Sequence, residues 1–335
     1  MSNTTQVAPA DMPGGLTIAD LRCPATGAPL VPREGALVSV GVVPERAYPV
    51  VRGVPVLIDD DASLFRIADF TAPAGGAAMP GTVKASAAAR GGAIKRLARA
   101  VLRRLPDRSY NTSDFSAAQA LDALAAQVPA ARVLVIGAGE ATLPARPGLR
   151  MVYTDVAVGP NAHYVCDAHQ LPFADGRFDM VVCCSVLEHV LEPHACVAEI
   201  HRVLGPDGLV YAVTPFIAQV HMGAHDFTRF TVLGHRALFR RFDTLRAGMA
   251  GGPGMALTWT FEYWLTSFGR RGSVRSGLQA AARLLSWPVR YGDHLLARRE
   301  GSYDTAAGSY FFGRRRESPI PARDLLREHR GLNPH

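Results

Sequence analysis

The stretch from Arg132 to Asp155 limits the possible folds more than any other. An apolar run, Val133-Leu134-Val135-Ile136, stops at Gly137-Ala138-Gly139, and a second short run, Met151-Val152-Tyr153-Thr154, ends on Asp155. Consecutive apolar residues without alternation describe a strand buried on both faces, which is the environment inside a parallel sheet. A Gly-x-Gly turn at the end of such a strand lets a ligand approach the backbone, and an acid ending the next strand can accept hydrogen bonds from ribose hydroxyls. The stretch predicts a β-α-β unit that holds a nucleoside.

The same alternation continues around it. Phe115 to Gln127 has helical spacing, and Met180 to Cys184 reads as a strand. Pro193 to Leu204 reads as a helix closed by Gly205-Pro206-Asp207-Gly208, before a strand from Leu209 to Val213. Such units predict an α/β fold: a mostly parallel sheet with helices on both faces. An aromatic stretch from Trp259 to Phe268 and an Arg-rich helical segment from Ser273 to Arg299 precede Ser309-Tyr310-Phe311-Phe312-Gly313, which reads as a closing edge strand. The resulting domain order is a disordered start over 1–15, a small strand-rich module over 16–70, and an Ala/Gly/Pro/Ser-rich linker over 71–93. A basic amphipathic helix over 94–110 follows, then the α/β domain over 111–316 with an insertion over 247–303, and a tail over 317–335.

The net charge of +7 suggests a polyanion partner until it is located. Between Asn111 and Leu245 there are nine Arg, no Lys and thirteen Asp or Glu, a net of −4, so the flanks carry the excess. Its densest part, Lys84 to Arg108, sets Ile94, Leu97, Val101, Leu102 and Leu105 at helical spacing with Lys95, Arg96, Arg99, Arg103 and Arg104 between them. Such a helix can lie on an anionic membrane, or pack on the core with a solvated basic face. No apolar run reaches the roughly 18 residues of a membrane span, and the first residues lack the form of a signal peptide. A cytoplasmic protein, peripheral at most to the inner face of the membrane, is expected. The five cysteines lie in apolar patterns that suit reduced thiols, and neither they nor the histidines show metal-ligand spacing, so no metal is expected.

Further motifs follow in order. Cys166-Asp167-Ala168-His169 puts a second acid at a strand end, Phe178 to Cys184 runs into Ser185-Val186-Leu187-Glu188-His189, and Leu204-Gly205-Pro206-Asp207-Gly208-Leu209 comes after. This series, over roughly Val133 to Phe242, resembles the class I S-adenosylmethionine-dependent methyltransferases of the type 11 family, which implies a Rossmann-like, mostly parallel seven-stranded sheet. By that resemblance Gly137, Ala138 and Gly139 pass under the cofactor's amino-acid moiety and Asp155 binds the ribose. Asp167 and Ala168 border the adenine, and Ser185 lines the pocket rim. Two positions depart from the family: Val135 replaces a usual acid, and Ala141 replaces a common third glycine. The N-terminal segment is similar to the small Trm112-like, zinc-ribbon-like module, keeping Cys23-Pro24, Tyr48-Pro49 and Gly53-Val54-Pro55. Thr26 stands where a second cysteine belongs and the second pair is missing, so a zinc-free version is expected.

Methyl transfer from a sulfonium is an in-line displacement, and for a hydroxyl acceptor the protein must align the oxygen and help remove its proton. The groups for that work gather after the fifth strand of the domain, where His221, His225 and Asp226 are the candidate catalytic residues. Arg229, with His189 from the earlier turn, is the candidate for substrate binding. The loop resembles those of type 11 enzymes from surface-glycan gene clusters, which implies O-methylation of a sugar, glycan or lipid-linked small acceptor with S-adenosyl-L-methionine as donor. Contact with an anionic membrane or lipid carrier fits the basic flanks, and no specific nucleic acid is expected. The alternatives are a quinone-like acceptor and a non-catalytic cofactor-binding or scaffolding protein. A nicotinamide enzyme is disfavoured by Thr142 at the third position of the glycine fingerprint. The sequence does not settle the oligomeric state.

Overall fold

A computed structural model of the chain describes residues 12–71, 113–139, 143, 145–269, 273–296 and 299–332. The expected basic helix, and the linker apart from Thr71, lie outside these residues, as does Ala141.

Four short strands open the chain as an antiparallel meander: β1 (Leu30–Arg33), β2 (Ala36–Ser39), β3 (Ala47–Val51) and β4 (Val54–Leu57). The β3–β4 turn is Arg52-Gly53, with φ of 53° and 82°, the pair of positive values that a two-residue hairpin turn needs to match strand twist. After α1 (Ile67–Thr71) and α2 (Ala117–Gln127) come β5 (Ala131–Ile136), β6 (Leu149–Asp155), β7 (Tyr164–Cys166) and β8 (Phe178–Cys184). Then follow α3 (Pro193–Val203), β9 (Leu204–Pro215), α4 (Val232–Leu238) and β10 (Phe242–Gly251). Two helices, α5 (Pro253–Ser267) and α6 (Ser273–Ser286), precede β11 (Gly308–Arg315). Ser116 starts α2 through a capping box with Gln119, which satisfies backbone donors that a helix start leaves open.

Among the described residues eleven strands form one sheet in the order β1-β2-β3-β4-β7-β6-β5-β8-β9-β11-β10. From β7 to β10 this is the seven-stranded, mostly parallel sheet that the motif order implies. The expected separate module is continuous with it, because β4 pairs in parallel with β7 through Val56↔Val165 and Leu57↔Cys166. Val56 and Leu57 are fully buried by that pairing. Neighbouring residues of β5 serve opposite faces, as strand geometry requires: Leu134 and Ile136 join one core cluster, and Val133 and Val135 the other.

Several expectations are corrected. Residues 12–15 of the supposed disordered start pack over β6: Met12 is buried, Pro13–Gly15 form a 3-10 turn, and Gly14 passes so close that a Cβ there would meet Val152. Gly205 to Gly208 do not end a helix before a strand. They belong to β9, in a stretch where the β8–β9 register jumps from Phe178↔Leu204 to Met180↔Leu209. The Ser309–Gly313 strand is interior, antiparallel to β9 on one side and β10 on the other. Its apolar residues therefore cover two faces, and β10, which the sequence reading missed, is the edge. The tail is docked: Glu328 pairs with the buried Arg236 at 2.6 Å.

His235 on α4 is fully enclosed, its Nδ1 2.9 Å from Ser309 Oγ, and burial pushes its pKa down to about 3. A histidine held neutral in the fold supports stability above its ordinary value, and that support is lost as pH falls from about 6.5 towards 3, because only the unfolded chain takes up the proton. Stability measured by denaturant titration should fall by a few kcal/mol over that window, and His235→Gln should flatten the fall. An equally steep fall in the variant assigns the acid sensitivity elsewhere.

Candidate active site

The site lies at the carboxyl edge of β5 to β9, where parallel strands end together and their loops converge. Gly137 turns the chain off β5 with φ of +73°, and a Cβ there would clash with the Val186 side chain. Glycine is thus required on conformational and steric grounds. The amides of Gly137 and Ala138 both donate to Thr154 O at 2.9 Å, which straps the turn to β6. Gly139 donates to Asp155 Oδ2 at 2.6 Å. Burial raises the Asp155 carboxyl above its ordinary range, and the amides of Gly139, Val156 and Ala157 pull against that. The cleft beside this turn is lined by Gly137, Asp155, Asp167, Ala168, Val186 and His189, and also by Leu64 and Phe65 of the N-terminal region.

Asp167 is already well engaged. One oxygen accepts from the His169 amide at 3.0 Å and faces His169 Nδ1 at 2.5 Å, while the other accepts from Ser63 Oγ at 2.5 Å. Burial pushes this carboxyl up, but the bonds from His169 and Ser63 outweigh it and the net shift is downward. Ser63, Leu64 and Phe65 were not anticipated from sequence, since nothing along the chain ties them to residues a hundred positions later.

Across the Ser185–Val190 turn lies a second cavity of about 270 Å³. Ser185 lines it with a left-handed φ of 54°, as do Glu188, Gln219, His221, Trp259 and Tyr263. Trp259 and Tyr263 come from α5, so the insertion walls this cavity. Glu188 is fully buried, neither carboxylate oxygen has a hydrogen-bond partner among the described residues, and desolvation raises its pKa to about 7. Its Oε1 lies 3.7 Å from His189 Nε2 and 4.0 Å from His221 Nε2. The sequence signal for Glu188 was an acid in the short Ser185–Val190 turn that follows a buried strand. Spacing along the chain hid the cluster, because the fold must bring His221 over 32 positions to meet Glu188 and His189.

The loop's remaining candidates divide by role. His221 reaches the cavity with its side chain 42% exposed. Asp226 does not reach it: Oδ2 accepts from the His221 amide at 2.8 Å, both oxygens pair with Arg229, and its pKa is held down at about 2, the Arg229 and His221 bonds outweighing burial. Arg229, expected to bind substrate, spends all five N–H groups inside the loop, on Asp226 and on the carbonyls of Ala218, Gln219 and Thr228. It is a strut. His225 stacks its ring on Phe65 at 5.8 Å, and its carbonyl accepts from His189 Nδ1 at 2.7 Å. His225 and Asp226 thus hold His189 and His221 in place.

Residues 136–212 match the family described as Methyltransferase domain. A demethylmenaquinone methyltransferase from Renibacterium salmoninarum is 38% identical over 101 residues, 26% of this chain and 42% of that protein. The chain thus spans about two fifths of the length of this curated relative. Among solved structures, a putative sarcosine dimethylglycine methyltransferase from Galdieria sulphuraria is 14% identical with a TM-score of 0.38, covering 60% of this chain and 84% of that one. A 1,6-didemethyltoxoflavin-N1-methyltransferase from Burkholderia thailandensis, solved with S-adenosylhomocysteine, is 15% identical with a TM-score of 0.35, covering 61% and 80%. The strand order stands on the chain's own pairing, not on these likenesses.

Asp226→Asn should weaken the pairing with Arg229 and free the loop. Amide exchange over 218–230 should speed up roughly tenfold or more, about 1.4 kcal/mol of local opening, while exchange in β5 stays unchanged. Unchanged exchange in the loop would show that the carbonyl contacts of Arg229 suffice.

Proposed function

We propose that this protein is an S-adenosylmethionine-dependent methyltransferase acting on a hydroxyl of a glycan or lipid-linked small acceptor. The observation that carries the reading is the pairing of two cavities across one short turn: a glycine-and-acid cleft suited to a nucleoside, which His189 lines, and a cavity lined by Glu188 and His221, the other two members of its cluster. Gly137 to Gly139 and Asp155 hold the cofactor's amino-acid and ribose ends, and Asp167 and Ala168 border the base. Ser185 and the turn behind it separate donor from acceptor, so the methyl group crosses that boundary in line with the sulfur. The cluster assists loss of the acceptor's proton, and His221 is its member most open to the cavity. A non-catalytic scaffold would give no reason to desolvate Glu188 without a hydrogen bond, a costly arrangement.

The lipid-linked part of the reading rests on α5, which is built inside out. It buries Thr258, Glu262 and Thr266, with Glu262 bonded to Gln279, and exposes Leu257, Tyr263, Trp264 and Phe268. On the neighbouring segment Leu284, Leu285 and Leu295 are exposed too. Between Pro253 and Arg299 the sequence carries seven Arg against two acids. An exposed apolar, aromatic surface in a segment of basic sequence suits the boundary of an anionic membrane, next to the cavity that Trp259 and Tyr263 line. The relative named above is, by its name, a methyltransferase of demethylmenaquinone. Among the described residues no helix is long and apolar enough to cross a membrane.

Calorimetric titration with S-adenosylmethionine should give micromolar binding, about −8 kcal/mol, that Asp155→Ala weakens at least tenfold. His221→Ala should keep that affinity within twofold and lower methyl transfer about 100-fold or more. Absence of cofactor binding by the native protein would sink the methyltransferase reading. For the surface, Trp264→Asp with Phe268→Asp should reduce co-sedimentation with anionic vesicles while leaving cofactor binding intact. Equal sedimentation of both proteins removes the membrane part alone.

A further inference from the structure

The Glu188–His189–His221 cluster has an electrostatic imbalance that the proton-transfer role leaves unexplained. His189 Nδ1 faces the carbonyl of His225 at 2.7 Å, and a carbonyl can only accept, so the ring proton sits on Nδ1 and Nε2 keeps its lone pair. His221 Nδ1 faces two more acceptors, Gln219 O and Asp226 Oδ2, both at 3.3 Å, which puts its proton on Nδ1 as well. Both Nε2 atoms therefore turn lone pairs towards Glu188, whose two oxygens have no hydrogen-bond partner among the described residues. The nearby Arg229 does not relieve this, since its donors are spent on Asp226 and on carbonyls. Nor does a shared proton, because separations of 3.7 and 4.0 Å exceed hydrogen-bond range.

A cation resolves it. Two imidazole nitrogens and one carboxylate oxygen lie within 4.8 Å of one another. Zinc-type ions take such ligands at about 2.0–2.2 Å, which sets neighbouring ligands roughly 3.4 Å apart. A rotation of the exposed His221 ring, with an approach of a few tenths of an ångström between His189 and Glu188, closes that difference. Each imidazole already has the outer support usual for a metal ligand, its other nitrogen bonded to a carbonyl or facing a carboxylate. We propose that Glu188, His189 and His221 bind a divalent cation of the zinc type through one carboxylate oxygen and two Nε2 atoms. Three protein ligands leave coordination positions open, and these face the cavity lined by Ser185, Gln219, Trp259 and Tyr263.

The use of that ion rests on the O-methylation reading. The acceptor hydroxyl takes an open position, and its O–H bond breaks with the proton passing to water. The oxygen pair forms the new O–C bond as the C–S bond breaks, and the electron pair of that bond stays on sulfur to give S-adenosylhomocysteine. The cation keeps its oxidation state and lowers the pKa of the bound oxygen. His189 and His221 act here as ligands, with Asp226 and the His225 carbonyl as positioning groups.

The test uses the full-length protein stripped with EDTA, then titrated calorimetrically with Zn²⁺ and, as an optical probe, with Co²⁺. One equivalent should bind, with visible Co²⁺ bands of a low-coordinate nitrogen and oxygen site. Glu188→Gln and His221→Ala should each weaken binding about 100-fold or more, with S-adenosylhomocysteine affinity unchanged as proof of folding. His221 is exposed, so its variant reports even if Glu188→Gln fails to fold. Absence of stoichiometric binding, or binding that His221→Ala leaves intact, overturns the site. Methyl transfer that persists in EDTA overturns the metal's role and leaves the O-methylation reading standing. One bound equivalent with cofactor binding but no transfer to any hydroxyl acceptor supports the site and overturns that reading instead.

Discussion

Parallel pairing of β5 with β6 and β8 is the constraint on which the rest depends. Parallel strands finish at one edge of a sheet, so whatever follows each strand meets at that edge. Gly137 follows β5, Asp155 ends β6, Asp167 follows β7, Ser185 follows β8, and the His221 loop follows β9. Residues spread over some eighty positions become neighbours because the strands before them are paired. The ladder is held by apolar residues on both faces of β5 and β8, where Val133, Leu134, Met180 and Val181 are fully buried. Their burial stabilises each strand by roughly 1.5–3 kcal/mol per side chain.

The N-terminal region uses the same principle from the other side. Because β4 adds in parallel to β7, the chain leaving β4 emerges at the functional edge as well. That delivers Ser63 to Asp167 and Phe65 to His225. The region is thereby a wall of the cleft beside Gly137 and Asp155 and not a separate appendage. Buried Cys23 lies with its Sγ 3.0 Å from the Tyr48 hydroxyl, joining the first turn of this region to its third strand.

The loop after β9 shows how charge is divided between support and chemistry. Asp226 and Arg229 neutralise each other inside the loop and fix the backbone at His221. Glu188 receives no such partner, and its desolvated carboxylate faces two imidazoles. Neutralised charges give rigidity, and the uncompensated one marks the place where a ligand's positive or protic group belongs.

What the sequence determined by itself was the local grammar. Unbroken apolar runs marked the buried strands, Gly137 and Gly139 the turn, and Asp155 and Asp167 the acids at the ends of β6 and β7, because each depends on neighbours within a few residues. Boundaries shifted where pairing extended a strand, as in β6, which runs from Leu149, two residues before the apolar run that begins at Met151. Only the tertiary structure decided the rest. The interior place of β11, the reach of Ser63 into the cleft, the spent donors of Arg229 and the meeting of Glu188 with His221 all depend on contacts between distant residues. No residue's own chemistry specifies which remote partner will desolvate it, bond it or leave it unpaired.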